Sequence, residues 1–285
     1  MSELATDVLT SADGTAVEYL TVGQGPGVIV VPGALAVAAD FTGFANLLAA
    51  RYTVHVIQRR GRGGSGPQGE RYGVERETED VEAVRARTGA RLIFGHSFGG
   101  LVALRAAIAN PAYDAVAVYE PGVSVDGSIP TDWIRRSHRE LIKGEGFEAF
   151  MSFARGINPD ETGKLPRWIL RIILRLAIPR HEMEQNIELM PQALNEHVEV
   201  GRYGDRLADY RAIAAPTLIT RGKGATWQEV ALRSLVATIP VTESATYAKL
   251  DHFAPEKKPA EIAETVLRFF AAHAKTDVRQ SLPWR

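Results

Sequence analysis

The stretch Arg91-Leu92-Ile93-Phe94-Gly95-His96-Ser97-Phe98-Gly99-Gly100 decides how the rest of the chain is read. Leu92 to Phe94 reads as a short buried strand, Ser97 as a sharp turn, and 98–109 as a helix stopped by Asn110-Pro111. Gly-x-Ser-x-Gly at 95–99 is the spacing of a nucleophile elbow. A turn that tight strains Ser97, and a Cβ at Gly95 or Gly99 would collide with the crossing backbone. The hydroxyl then stands at the carboxyl end of a strand and the amino end of a helix. There the Phe98 N–H and the helix dipole can stabilise a developing oxyanion.

Working outward, strand-like and helix-like segments alternate. Strands are expected at 16–22, 28–31 and 54–58 before the elbow, and at 115–119 after it. The run Val28-Ile29-Val30-Val31 is apolar throughout, as a strand buried on both faces requires. Helices are expected at 41–50 and at 74–88, the latter ending at Gly89. From about Pro121 to 211 strand character is scarce, and helices are expected at 133–142, 147–153, 168–177 and 182–194. The alternation returns with strands at 217–220 and 241–247 and helices at 228–237 and 260–274. This order predicts an α/β fold: a mostly parallel central sheet with helices on both faces. Its core would comprise 1–120 and 212–274, with 121–211 as a helical cap over the carboxyl edge and 275–285 as a tail.

Composition narrows the function classes. The chain has 285 residues, 45% hydrophobic, enough for one large core in one elaborated domain. A net charge of -1 gives no reason to expect a nucleic-acid partner. With no cysteine, disulfides, thiolate catalysis and Cys-ligated metals are excluded. No histidine pair has a metal-ligand spacing, so neither metal nor cofactor is expected. The start, Met1-Ser-Glu-Leu-Ala-Thr-Asp, lacks the pattern of a secretory signal, and no apolar run reaches membrane-spanning length. A cytoplasmic location is the expectation.

The elbow and the βα order together resemble the α/β-hydrolase family. The resemblance covers nearly the whole core and is weak over the cap. It implies a histidine base in the loop after the last strand, where Leu250-Asp251-His252-Phe253 lies. It also implies an acid. Where many relatives carry Gly-x-x-Asp after the penultimate strand, this chain has Gly222-Lys223-Gly224-Ala225. Glu120, which ends the 115–119 strand, is the first candidate to replace that aspartate, with Asp126 as the alternative acid. Asp251 adjoins the histidine but would need an unusual turn to reach it. The second oxyanion donor would come from Val31-Pro32-Gly33-Ala34-Leu35. Pro32 has no N–H, so Ala34 is preferred beside Phe98, with Leu35 as the alternative.

Two further segments have competing readings. Gly61-Arg62-Gly63-Gly64-Ser65-Gly66 spells a dinucleotide fingerprint, but no helix opens within it and no acidic strand end follows. It resembles instead the family's Asp-x-Arg-Gly-x-Gly-x-Ser loop, with Gln58 in place of the aspartate. In 167–177 the arginines 167, 171 and 175 form one stripe on an otherwise apolar helix. A membrane surface or a partner interface would suit it. The favoured reading packs its apolar face over the site with the arginines outward, so that Trp, Ile and Leu meet an apolar part of the substrate. Of the other cap histidines, 138, 181 and 197 are expected to face solvent. The leading functional expectation is a cofactor-free serine hydrolase of an ester, lactone or thioester. Lyase, cyclase or C–C bond-cleaving chemistry, or a silent ligand-binding protein, are the rivals.

Overall fold

Alternation along single strands shows how the sheet divides the protein. The computed structural model describes residues 4–224 and 226–275, so the Ala225 position and the tail from 276 lie outside the described residues. Along the strand Gly27–Val31, Val28 and Val30 join one apolar cluster while Ile29 and Val31 join another. The same two-residue period sends Leu92 and Phe94 to one face and Ile93 to the other. Both faces are therefore covered, and the central strands carry apolar side chains at nearly every position.

The strands are β1 (Ala5–Thr10), β2 (Ala16–Val22), β3 (Gly27–Val31), β4 (Thr53–Ile57), β5 (Leu92–His96), β6 (Ala115–Tyr119), β7 (Thr217–Arg221) and β8 (Thr242–Thr246). Their spatial order is β1-β2-β4-β3-β5-β6-β7-β8, parallel from β4 to β8, with β1 and β2 antiparallel at one edge. Strand β1 is absent from the sequence reading. It is an edge strand, exposed at nearly every position, so no buried alternation marks it.

The helices are α1 (Thr42–Leu48), α2 (Val74–Thr88), α3 (Phe98–Ala109), α4 (Ile134–Ile142), α5 (Gly146–Ile157), α6 (Arg167–Ala177), α7 (Arg180–Glu188), α8 (Met190–Arg202), α9 (Thr226–Thr238), α10 (Ala254–Lys257) and α11 (Ala260–His273). Helix α2 has the expected limits and ends at Gly89 with φ 71°, a left-handed cap. Helices α4 to α8 fill the stretch between β6 and β7. A third apolar cluster joins Trp133, Phe150, Phe153, Leu170, Met190 and Leu194 there, with Leu35 from the loop after β3 against it. The single helix expected at 182–194 is two helices, α7 and α8. Pro191 lacks the N–H that would continue the ladder, and it sits in the first turn of α8 instead.

Helix α6 is turned the other way from the favoured reading. Leu170 and Leu174 are buried, whereas Trp168 is 65% and Leu176 83% exposed. Arg167 pairs with Glu140 and Glu148, Arg171 pairs with Glu148, and Arg175 lies over the Phe147 ring. The helix is apolar on every side except the arginine stripe, so carboxylates on α4 and α5 decide which side faces the protein. Among the described residues no helix is long and apolar enough to cross a membrane.

Candidate active site

The strand ends bring the site together. Register pairs Val31 with Gly95 and His96 with Tyr119, so the residues after β3, β5 and β6 share one carboxyl edge. Ser97 has φ 52° and ψ −122°, a sparsely populated conformation costing about 1–3 kcal/mol. Its carbonyl offsets that cost by accepting from the N–H groups of Gly100 at 2.8 Å, Leu101 at 3.3 Å and Gly122 at 2.7 Å. A Cβ on Gly95 would stand 2.7 Å from Gly100 Cα, and one on Gly99 would stand 2.7 Å from the Val31 carbonyl carbon. Both are backbone obstacles, so neither can move aside.

His252 lies in the loop between β8 and α10. Its Nε2 is 3.1 Å from Ser97 Oγ, and its Nδ1 is 2.6 Å from Glu120 Oε2. Glu120 is the first residue after β6, with φ 43° and a side chain 0% exposed. Its other oxygen, Oε1, accepts from the Gly222 N–H at 2.8 Å, and Oε2 accepts a further bond from Gln228 Nε2. These contacts aim the Glu120 carboxyl at Nδ1, and the tautomer with its proton on Nδ1 presents the Nε2 lone pair to Ser97 Oγ. Burial pushes the His252 pKa down, but the hydrogen bond and charge of Glu120 outweigh it and raise the net value above 6.5. Gln228, on α9, is absent from the sequence reading. No motif announces it, because it acts through a carboxylate remote in sequence.

Asp126 is exposed, with φ 49°, and among the described residues no hydrogen bond or ion pair joins it to His252. The structure therefore does not bring Asp126, the alternative acid of the sequence analysis, to His252. Asp251 accepts from the Phe253 N–H at 3.0 Å, which turns its carboxylate to its own loop. Gly33 packs against Ser97: a Cβ there would lie 3.1 Å from Ser97 Cβ. The chain then turns at Leu35, which has φ 56°. Among the described residues no acceptor within the protein takes the N–H of Ala34, Leu35 or Phe98, so all three are free to donate. Among the described residues, Leu35, Ser97 and Glu120 are three of the four non-glycine residues with positive φ, so the backbone strain gathers at this edge.

A second histidine supports the first. His96 Nε2 donates to the His252 carbonyl at 2.8 Å. Burial and the neighbouring His252 hold the His96 pKa down at about 3, so the ring is neutral and Nδ1 bears a lone pair. Glu256 Oε1 faces that lone pair at 3.4 Å. Burial and the nearby Asp40 push the Glu256 pKa up from 4.5 to about 8. A carboxyl raised on folding favours the native state fully below its unfolded pKa, and this contribution is lost as pH rises from 4.5 through about 8. Glu256→Gln is therefore expected to gain stability relative to wild type as pH rises, read by thermal melts at roughly pH 5 and pH 9. Equal melting differences at both ends would refute the assignment.

His197 is not solvent-facing as expected. Half-buried on α8, its ring meets Trp133 and Phe153 edge-on at 5.3 Å and 5.2 Å, and its Nδ1 donates to the Ala193 carbonyl at 2.7 Å. The segment at 58–66 is a structural loop. Arg59, Arg60 and Arg62 are buried and paired with Glu77, Asp80 and Glu196. A cavity of about 550 Å³ opens beside it, lined by Glu18, Gln58, Arg62, His181, Glu184 and Glu188. No nucleophile–base pair lines that cavity, so the chemistry is assigned to the strand edge. Among the described residues no cluster of three or more His, Asp or Glu side chains is placed to hold a metal.

Comparison with known proteins follows the same lines. A sequence model described as alpha/beta hydrolase family matches residues 28–265. No curated protein matches the chain. An alpha/beta hydrolase from Sphaerobacter thermophilus is 29% identical with a TM-score of 0.77, over 93% of this chain and 100% of that one. An esterase from a Rhodococcus species is 18% identical with a TM-score of 0.72, over 94% and 99%. Epoxide hydrolase A from Mycobacterium thermoresistibile is 18% identical with a TM-score of 0.70, over 94% and 98%. The last two likenesses are of fold.

Proposed function

The chain belongs to the alpha/beta hydrolase family, and from that premise we propose that it is a cofactor-free serine hydrolase of ester-type small molecules: esters, lactones or thioesters. The alignment of Ser97 Oγ, His252 and Glu120, at 3.1 Å and 2.6 Å, carries this reading. Ser97 Oγ attacks the carbonyl carbon as its proton passes to His252 Nε2. The negative charge that develops on the carbonyl oxygen is held by the N–H groups of Phe98 and Ala34. Collapse of the tetrahedral adduct breaks the bond to the leaving group, which takes the proton from His252. Water, deprotonated by the same nitrogen, then adds to the acyl carbon; the bond from that carbon to Ser97 Oγ breaks, and Oγ takes the proton back from His252 as the acid leaves. Glu120 keeps the proton on Nδ1 and stabilises the imidazolium.

The comparison with an epoxide hydrolase does not redirect this reading, because the elbow position holds a serine hydroxyl rather than a carboxylate. Residues 121–211 are proposed to act as the substrate-selecting cap. Leu35, next to the proposed donor Ala34, packs against the cluster of Trp133 and Phe153, which supports a substrate with an apolar part. The deciding test is intact mass after exposure to a fluorophosphonate. One adduct on wild type and none on Ser97→Ala supports an activated serine. A folded wild type that takes no adduct rules the acyl-enzyme out.

A further inference from the structure

Arg59 is the one member of the buried 59–62 arginine set that touches both sides of the proposed oxyanion site. Its Nη1 donates to the Gly33 carbonyl at 3.0 Å, and its guanidinium carbon lies 4.6 Å from the centre of the Phe98 ring. Its side chain is 0% exposed. Two carboxylates hold it from elsewhere in the fold: Glu77 on α2, through a two-point fork at 3.1 Å and 2.8 Å, and Glu196 on α8, at 2.9 Å. Glu196 also pairs with Arg62 at 2.7 Å. Arg59, Arg62, Glu77 and Glu196 thus form a set of two cations and two anions, balanced in charge.

We propose that Arg59 is a positioning residue for the oxyanion site, clamping the Gly33–Ala34 peptide and the Phe98 ring in one geometry and tying both to α8. The inference rests on the serine-hydrolase reading above. In a trans peptide the carbonyl and the N–H point opposite ways. A cation bonded to the Gly33 oxygen therefore fixes the direction of the Ala34 N–H and polarises it as a donor. Phe98 supplies the other N–H, and the guanidinium over its ring holds the first turn of α3 against the same anchor. Because the surrounding charge is balanced, the action is local: it aims two dipoles and adds no net field. Arg60 is the internal contrast. It is equally buried, but its partners are Asp80 at 2.6 Å and Asp13 at 2.7 Å, away from the β3 loop.

The test uses two charge-balanced double variants, Arg59→Met with Glu77→Gln, and Arg60→Met with Asp80→Asn. An alkyl trifluoromethyl ketone serves as probe, since its serine adduct is a hemiketal whose oxyanion occupies the site. Fluorine NMR against pH reads the ionisation midpoint of that hemiketal. The Arg59 pair is expected to raise the midpoint by about one pH unit and to lower kcat for p-nitrophenyl butyrate about tenfold at unchanged KM. The Arg60 pair is expected to lower melting temperature while leaving the midpoint in place. Should the Arg59 pair not fold, Arg59→Lys, which keeps the cation and loses the fork, is read for the same upward shift. A wild-type midpoint in a folded Arg59 variant, or an equal shift in the Arg60 pair, overturns the proposal alone. A wild type that takes neither fluorophosphonate nor ketone overturns the acyl-enzyme and this inference together.

Discussion

Ser97→Ala is expected to lower kcat/KM for p-nitrophenyl butyrate by about 10⁴-fold or more, with the fold intact. The hydroxyl is the only group lost, and the strained backbone remains, because alanine carries the same Cβ as serine at φ 52°. What survives is the contribution of binding and the oxyanion donors, which alone give modest acceleration over water. Ser97→Gly separates strain from chemistry. It should be equally inactive yet melt higher, since glycine adopts positive φ without the penalty. Activity within about tenfold of wild type in either variant would sink the nucleophile assignment.

Glu120→Gln is expected to reduce kcat by about 10⁴-fold, with little change in KM. The Gly222 N–H, 2.8 Å from Oε1, sets the direction of the new amide. Its oxygen must stay with that buried donor, which turns the NH₂ toward His252 Nδ1. A donor facing Nδ1 draws the lone pair there and leaves the proton on Nε2, where the serine needs a base. The pH profile gives a second signature. Catalysis needs neutral His252, so the acid limb of kcat/KM in wild type lies above 6.5, the direction in which Glu120 moves it. Without the carboxylate, burial is opposed only by the weaker charges of Glu256 and Asp251, and the limb moves to lower pH. Stability follows the same linkage: the His252–Glu120 contribution is full below the unfolded histidine pKa and lost as pH rises through the folded one. An unmoved acid limb would argue that Glu120 does not act on this histidine.

The fold and the meeting of Ser97, His252 and Glu120 are legible because they depend on chain order. Short apolar runs separated by helices specify a parallel sheet, and each of the three residues follows a strand. The turn at Ser97 is written locally, in glycines that backbone crossings demand. Other features were not legible. Gln228 meets Glu120, and Glu256 meets His96, across long sequence separations that leave no pattern to detect. The facing of α6 depends on Glu140 and Glu148, because its own apolar residues surround the helix without choosing a side. The break between α7 and α8 was written at Pro191, but an apolar period running through it masks the stop.

The placement of Glu120 after β6 divides the proposed machinery unevenly along the chain. Everything up to α6 holds Ser97, Glu120 and the N–H groups of Ala34 and Phe98; everything after α7 begins holds His252 and the groups that steady it and Glu120, namely Gly222, Gln228 and Glu256. The exposed joint at Pro179 lies between them. Cutting there would yield two fragments, each inert by itself, whose reunion through the β6–β7 seam and the Arg59–Glu196 contact would restore a complete centre. The protein is thus laid out as a split reporter, with turnover as the signal that its two halves have met.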